Sequence, residues 1–328
     1  MQRDIVVVAA SRGALPVLRT LVEGLPHPLE AAVLVVLHIG RHPSLLPELL
    51  SKWGAAPARF AEHGEVIRRG RIYVAPPDKH LVVEGDTLCL LDTAAENFCR
   101  PAADPLFRSA AAQYRERVVG IVLTGELDDG AAGLAAIEAR GGYRIVQDPD
   151  DADASSMPRS AIAAAGADVI ATCEKLPQAL RAALSGASRR KESKMSKRPD
   201  LDREAQLGNG GLAEPNELDE IAERSALTCP TCSGVLWRLR DDHPLRYRCH
   251  TGHAFSALSL DAASAQGTED AIWGAIRAVH ERMILARERR DWAVRTGNEA
   301  DAAAEQVRIE ENEKLIDLLR AASGSPLG

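Results

Sequence analysis

Apolar residues over the first 185 positions come in two alternating forms. Short continuous runs read as strands: DIVVVAA (4–10), AAVLVVLH (31–38), RIYVA (71–75), RVVGIVLT (117–124), YRIVQ (143–147) and ADVIA (167–171). Between them lie stretches with helical spacing, LPVLRTLVEGL (15–25), SLLPELLSKW (44–53), DPLFRSAAAQYRER (104–117) and AAGLAAIEARG (131–141). A strand that is apolar on both faces must be covered on both, which a parallel sheet between two helix layers achieves. The alternation therefore predicts a doubly wound, mostly parallel α/β domain over residues 1–185. HLVVEGDTLCLLD (80–92) departs from it and predicts an inserted β-hairpin turning at Glu84-Gly85-Asp86.

Beyond residue 185 the pattern changes. Residues 186–226 are polar, charged and poor in large apolar side chains, and read as a flexible linker with a basic first half. Residues 227–260 carry a Cys/His cluster with a β-hairpin inside it. Residues 261–328 predict a helical hairpin and tail. Ile272, Ile276, Val279, Met283 and either Leu285 or Ala286 fall near one face, and Thr296-Gly297-Asn298 breaks the pattern.

Composition narrows the class. The 328 residues are 45% hydrophobic and 27% charged, enough apolar matter for a core, and the net charge of -7 argues against a general nucleic-acid binder. No run reaches the roughly 18 apolar residues that would cross a bilayer, so no direct membrane insertion is expected. The opening MQRDIVVVAASRG reads as a first strand rather than a signal peptide. Cys89, Cys99 and Cys173 are scattered, whereas Cys229, Cys232 and Cys249 cluster; this points to a metal site in a reducing cytoplasm rather than a disulfide framework.

In an open α/β sheet, chemistry gathers beyond the carboxyl ends of the strands. Ser11 follows the first strand, His38 ends the second, and Asp128 and Asp129 follow the run 117–124. A serine needs a base to become a nucleophile, and the base needs an acid to fix its tautomer. Each residue also has a plain structural reading: Ser11 as a helix cap, His38 as a hydrogen-bonded strand-end histidine, an Asp before Gly130 as a turn residue.

The order of several motifs decides between these readings. Ala9-Ala10-Ser11-Arg12-Gly13-Ala14 is followed by His38, and then by Ile72 to Leu81 with Ala75, Pro76, Asp78 and His80. Next come Arg100, Pro101, Asp104, Leu106, Phe107 and Ser109-Ala110-Ala111, then Leu123-Thr124-Gly125 with Asp129-Gly130-Ala131 and Gly133, and last Gln147-Asp148, Met157-Pro158 and Ala161-Ile162. Over residues 4–184 the chain resembles the catalytic domain of CheB-type protein-glutamate methylesterases. The resemblance implies Ser11 as nucleophile, His38 as general base and then acid, and Asp129 as the group orienting His38, with Asp128 in a variable slot. It implies hydrolysis of γ-glutamyl methyl esters on chemoreceptor helices without a catalytic cofactor, and, for some members, deamidation of glutamine.

The loops around these three residues depart from the family. Arg12 stands for Thr, Ala14 for the second Gly, Ile39-Gly40 for Met-Pro, and Glu126 and Leu127 for Met and Gly. Arg12, Gly13, Glu126 and Met157 are the expected oxyanion and substrate loops. The Glu126 carboxylate would oppose a developing oxyanion if it turned inward, and pairing with Arg12 would neutralise it. The family's phospho-receiver domain has no counterpart before residue 4, so regulatory input is expected from a separate signalling partner or the C-terminal region.

In that region Cys229-x2-Cys232 is separated by sixteen residues from Cys249-His250-x2-His253. This spacing suits a zinc-ribbon-like module ligated by Cys229, Cys232, Cys249 and His253, with His250 the competing fourth ligand. A structural zinc fits because so small a module buries little core. Two other readings stay open for the whole chain: a serine hydrolase of another acyl substrate, and a non-catalytic signalling adaptor.

Overall fold

The computed structural model describes residues 3–39, 42–187, 200–240 and 244–323. The chain begins with β1 (Ile5–Ala10), α1 (Ala14–Glu23), β2 (Ala32–Leu37), α2 (Leu46–Trp53), β3 (Ala58–Phe60), β4 (Glu65–Val66), β5 (Arg71–Val74), β6 (His80–Glu84) and β7 (Thr87–Leu91). It continues with α3 (Ala103–Tyr114), β8 (Val118–Val122), α4 (Ala131–Ala139), β9 (Tyr143–Gln147), α5 (Ser156–Ala165), β10 (Val169–Ala171) and α6 (Leu176–Leu184). Seven strands form one sheet in the order β10-β9-β8-β1-β2-β5-β3, with every pairing parallel.

The period of a strand explains the layers. Ile5, Val7 and Ala9 of β1 face one core with Leu106 and Phe107 of α3, Leu134 of α4 and Met157 of α5. Val6, Val8 and Ala10 face the other, with Leu18 of α1, Leu50 of α2 and Leu180 of α6. All six residues of β1 are buried, as a central parallel strand requires. The chain leaves β1 toward β2 on one side and returns to β8 on the other. The strand order therefore reverses at β1, and the crevice at its carboxyl end is the topological switch point of the sheet.

The expected hairpin at 80–92 forms, as β6 and β7, but it joins β4 in a separate three-stranded antiparallel sheet instead of entering the main one. The short strands β3 and β4 carry little apolar periodicity and were not legible in the run pattern.

The expected flexible linker is corrected over much of its length. Residues 188–199 lie outside the described residues, but those that follow are regular: α7 (Asp200–Gly210), α8 (Pro215–Ile221) and β11 (Ala222–Thr228). Pro215 starts α8, and Glu214 with Glu217 forms a capping box. What the polar composition concealed is that Leu207, Leu218 and Ile221 bury themselves with Trp237 and Leu239 in a small core of their own. The strands β12 (Val235–Leu239), β13 (Arg246–Cys249) and β14 (Ala254–Ser256) complete a four-stranded antiparallel sheet in the order β11-β12-β13-β14. Residues 1–260 make one compact unit, and residues 261–328 another. The second unit contains most of α9 (Ala257–Arg295) and all of α10 (Glu299–Ala322). Its core is Ile276, Val279, Met283 and Ala286 against Ile309 and Ile316; Ala286, not Leu285, faces inward.

Candidate active site

Ser11 leaves the carboxyl end of β1, its N–H donating to Thr124 O at 3.1 Å, so that it sits beside the loop that follows β8. Gly125 stands at the closest approach: a side chain there would run into Met157 Sδ and Ser11 Cβ. Met157 is wholly buried beneath this turn, and its N–H donates to Gly125 O at 2.9 Å. It supports the loop from below rather than lining the surface expected of it.

His38 follows β2, its N–H donating to Ala10 O at 3.0 Å. Its Nε2 lies 2.7 Å from Asp129 Oδ2. The remaining ring nitrogen, Nδ1, is then the basic one when the ring is neutral with its proton on Nε2. Among the described residues, no side-chain hydrogen bond joins Ser11 to His38. The Asp129 carboxylate sits at the N-terminus of α3, where Oδ2 accepts the Ala103 N–H at 2.5 Å and Oδ1 accepts the Asp104 N–H at 3.2 Å. A helix N-terminus with free N–H groups favours an anion. Asp128, the alternative acid, is buried with one oxygen unpartnered, and it interacts with Ser256 rather than His38.

Electrostatics tie the pair together. Burial works against a charged His38, yet the hydrogen bond it donates to Asp129, followed by the interaction with the neighbouring Cys99 side chain, outweighs it and raises the His38 pKa to about 10. Asp129 shows the mirror effect: burial raises its pKa, but His38 and the α3 amides bring it below the ordinary value. Asp104 next to it goes the other way, pushed up to about 8 by burial and then by Asp129. Of the two buried carboxyls, Asp129 keeps the charge.

Arg12 and Glu126 meet across the mouth, with Arg12 Nη1 donating to Glu126 Oε1 at 2.9 Å; both side chains are exposed. The Glu126 carboxylate is thereby held outward. The backbone N–H groups of Gly13 and Glu126 have no hydrogen-bond partner among the described residues. Leu127, where a family glycine would stand, takes φ 60°, a left-handed conformation that costs a side chain energy.

Three residues were missed as site members by the motif reading. Asn97 donates from Nδ2 to Asp104 Oδ2 at 3.1 Å and to Asp129 Oδ1 at 3.4 Å. Cys99 lies beside His38. His80 is buried, with Nδ1 accepting the Ala102 N–H at 3.2 Å and Nε2 donating to Ala94 O at 3.1 Å, and burial lowers its pKa so that it stays neutral. Asn97 and Cys99 fall in a stretch without periodicity, and no motif identifies them.

In the C-terminal module, the ligand atoms of Cys229, Cys232, Cys249 and His253 all lie within 4.8 Å of one another. Cys232 Sγ is 3.7 Å from Cys249 Sγ, and Cys249 Sγ is 3.5 Å from His253 Nδ1. Tetrahedral zinc with its usual bond lengths separates two thiolates by about 3.8 Å and a thiolate from an imidazole nitrogen by about 3.6 Å, so the donor set fits that ion. His250 is not part of this cluster; its ring makes a T-shaped contact with Trp237, centroids 6.4 Å apart.

Ser11 and His38, partly buried, and Asp129, buried, gather at the switch point of the parallel sheet of a doubly wound α/β domain, where such folds place their chemistry. Comparison with known proteins gives the family. The sequence model of the CheB methylesterase family matches residues 6–180, and the chain belongs to that family. A Leptospira interrogans protein named for protein-glutamate methylesterase and protein-glutamine glutaminase activities is 36% identical over 180 residues, covering 54% of this chain and 93% of that one. Protein-glutamate methylesterase/protein-glutamine glutaminase 2 of Caulobacter vibrioides is 40% identical over 169 residues, but these make up only 48% of its length. The crystal structure of the Thermotoga maritima CheB methylesterase catalytic domain superposes with a TM-score of 0.51 at 29% identity, covering 55% of this chain and 98% of that one. The family match ends at residue 180, which leaves the Cys/His module outside the family domain.

Proposed function

We propose that the chain hydrolyses methyl esters of glutamyl side chains on the cytoplasmic helices of chemoreceptors, with Ser11, His38 and Asp129 as its catalytic residues. The observation that carries this reading is the 2.7 Å His38–Asp129 pair, buried at the switch point next to the strand end that bears Ser11. When the ester occupies the crevice, Ser11 Oγ comes within reach of His38 Nδ1 and attacks the carbonyl carbon while His38 takes its proton. The negative charge on the former carbonyl oxygen is received by the free N–H groups of Gly13 and Glu126. His38 then returns the proton to the departing methoxide, and methanol leaves. Water, deprotonated by the same imidazole, attacks the acyl-serine; the products are the glutamyl carboxylic acid and free Ser11. With glutamine as substrate, ammonia leaves in place of methanol.

The Arg12–Glu126 pair supports retained activity, because it draws the carboxylate away from the amide it would otherwise oppose. The Cys229, Cys232, Cys249 and His253 cluster holds a structural zinc, which takes no part in the chemistry. The cytoplasm, where receptor helices and reduced thiols coexist, is the site of action. The test is methanol release from a methylated receptor fragment by the wild-type chain and by Ser11→Ala. Release that disappears in the variant is expected. Absence of release from any methyl ester would leave the adaptor reading, and release from simple esters but not from receptor would leave another acyl substrate.

A further inference from the structure

The family match stops at residue 180, but the hydrogen-bond shell of the catalytic carboxylate does not. We infer that Asn97 is a positioning residue for the reaction, and that the segment Ala254–Ser259 of the C-terminal module holds it in place. The inference rests on the reading of Asp129 as the acid that orients His38.

Asn97 and Phe98 both have left-handed backbones, with φ of 49° and 62°. Asn tolerates this conformation, but for Phe it costs roughly 1–2 kcal/mol, so two such residues in a row persist only where the surroundings impose them. Those surroundings belong to the module. The Asn97 N–H donates to Ala254 O at 2.9 Å, and the Phe98 ring packs against Phe255 with centroids 5.1 Å apart. Asn97 Oδ1 accepts from Ser256 N and from Ser259 Oγ, each at 2.9 Å. Both serines are buried.

These contacts assign the two ends of the Asn97 amide. Two donors converge on Oδ1, so Nδ2 must face the two carboxylates, Asp104 and Asp129. The result is a relay in which module serines orient an amide and the amide orients the carboxylate that pairs with His38. Asp129 Oδ1 is left with the Asn97 and Asp104 N–H donors, while Oδ2 is directed to His38 and Ala103.

The docking that supports the relay is extensive. Glu96, next to Asn97, is buried between Arg108 of α3, at 2.7 Å, and Arg248 of β13, at 3.3 Å. Glu204 of α7 pairs with Arg246 of β13 and lies 3.8 Å from Arg108. Buried charges so matched tolerate little displacement, since a shift would leave an ion unpaired in the interior. The titratable and charged groups around the acid are thus His38 at the end of β2, His80 at the start of β6, Glu96 and Cys99 from the segment before α3, Asp104 and Arg108 from α3, the adjacent Asp128, and Arg248 from the module.

Removing the Nδ2 donor makes Asp129 more basic and lets it hold the His38 proton harder. The experiment uses the full chain with two test variants and one rescue variant. Asn97→Asp keeps the Oδ1 acceptor for Ser256 and Ser259 but replaces the donor that faces Asp129. Ser259→Ala alters only the module side, and Ser259→Thr restores the hydroxyl. With a methylated receptor fragment, Asn97→Asp is expected to lower kcat about tenfold with KM within about twofold, and to move the rising limb of kcat about one pH unit upward. Ser259→Ala is expected to follow in the same direction, by about threefold in kcat, with recovery in Ser259→Thr. NMR titration of the His38 imidazole must move with the kinetic limb. A His38 titration unchanged in Asn97→Asp and in Ser259→Ala, with only the melting temperature lowered, overturns the inference. If the wild-type chain releases no methanol, the methylesterase reading fails, and the His38 titration still decides the relay.

Discussion

His38 Nε2 stands 2.7 Å from Asp129 Oδ2, and the same oxygen accepts the first N–H of α3 from Ala103. A carboxylate held by a helix N-terminus and an imidazole makes a tight proton-holding pair, so the base is protonated over much of the neutral range. With the His38 pKa raised to about 10, hydrolysis should climb with pH well past neutrality, because only the neutral ring accepts the Ser11 proton. Asp129→Asn should bring the rising limb down toward the free value of about 6.5 and cut kcat by about 10³–10⁴-fold, since the tautomer is no longer set. Stability has the corresponding sign: the gain from the raised His38 pKa is fully present below the unfolded value of about 6.5 and is lost as pH rises through about 10. Kinetic pH profiles and urea unfolding at several pH values check both.

The exposed Arg12–Glu126 pair contributes little to folding, but it decides where a negative charge sits. Arg12→Ala should leave the melting temperature almost unchanged and lower kcat by about tenfold, by freeing the carboxylate to approach the oxyanion amides. Arg12→Ala with Glu126→Gln should recover most of the loss. Additive effects in the double-mutant cycle would show that the two residues act separately.

Leu127 occupies φ 60° where glycine would be unstrained. Leu127→Gly should therefore stabilise the chain, or leave it unchanged, despite losing a whole side chain: relief of about 1–2 kcal/mol offsets the extra backbone entropy of glycine. Chemical denaturation that shows a loss typical of a buried leucine would contradict this account.

Glu96 is buried between two arginines, and although burial raises its pKa, Arg108 and Arg248 bring it down to about 2. Its contribution is present above the unfolded value of about 4.3 and fades as pH falls through about 2. Glu96→Ala strands Arg108 and Arg248, and should cost about 3–5 kcal/mol in equilibrium unfolding.

The wild-type chain should carry one zinc ion, measurable by elemental mass spectrometry. Cys249→Ser should lose it and lower the melting temperature, as should prolonged chelation, whereas His250→Ala should retain the metal because the converging ligand atoms are those of Cys229, Cys232, Cys249 and His253.

Much of the molecule was legible in the chain itself. The parallel sheet followed from strands apolar on both faces, and β1 is buried at every position. Ser11, His38 and Asp129 could be proposed from the sequence because a doubly wound sheet gathers chemistry at its strand ends; the structure sets His38 against Asp129, while Asp128 interacts with Ser256. The Cys/His spacing pointed to His253 and kept His250 in competition; only the folded β13–β14 turn separates them. The linker expectation failed because composition averages over a segment, whereas a few residues such as Leu207, Leu218 and Ile221 suffice to order it once Trp237 is there to cover them.

Sequence alone determined the parallel α/β architecture and which residues are candidates for the chemistry, because periodicity and motif order are local properties carried by neighbouring side chains. Tertiary structure decided what surrounds them. Ser259 reaches Asn97 across 162 positions, and Arg248 reaches Glu96 across 152. Contacts of that span leave no trace in local pattern. They arise when two polar segments, each unremarkable by itself, are buried against one another and must satisfy their hydrogen bonds and charges together.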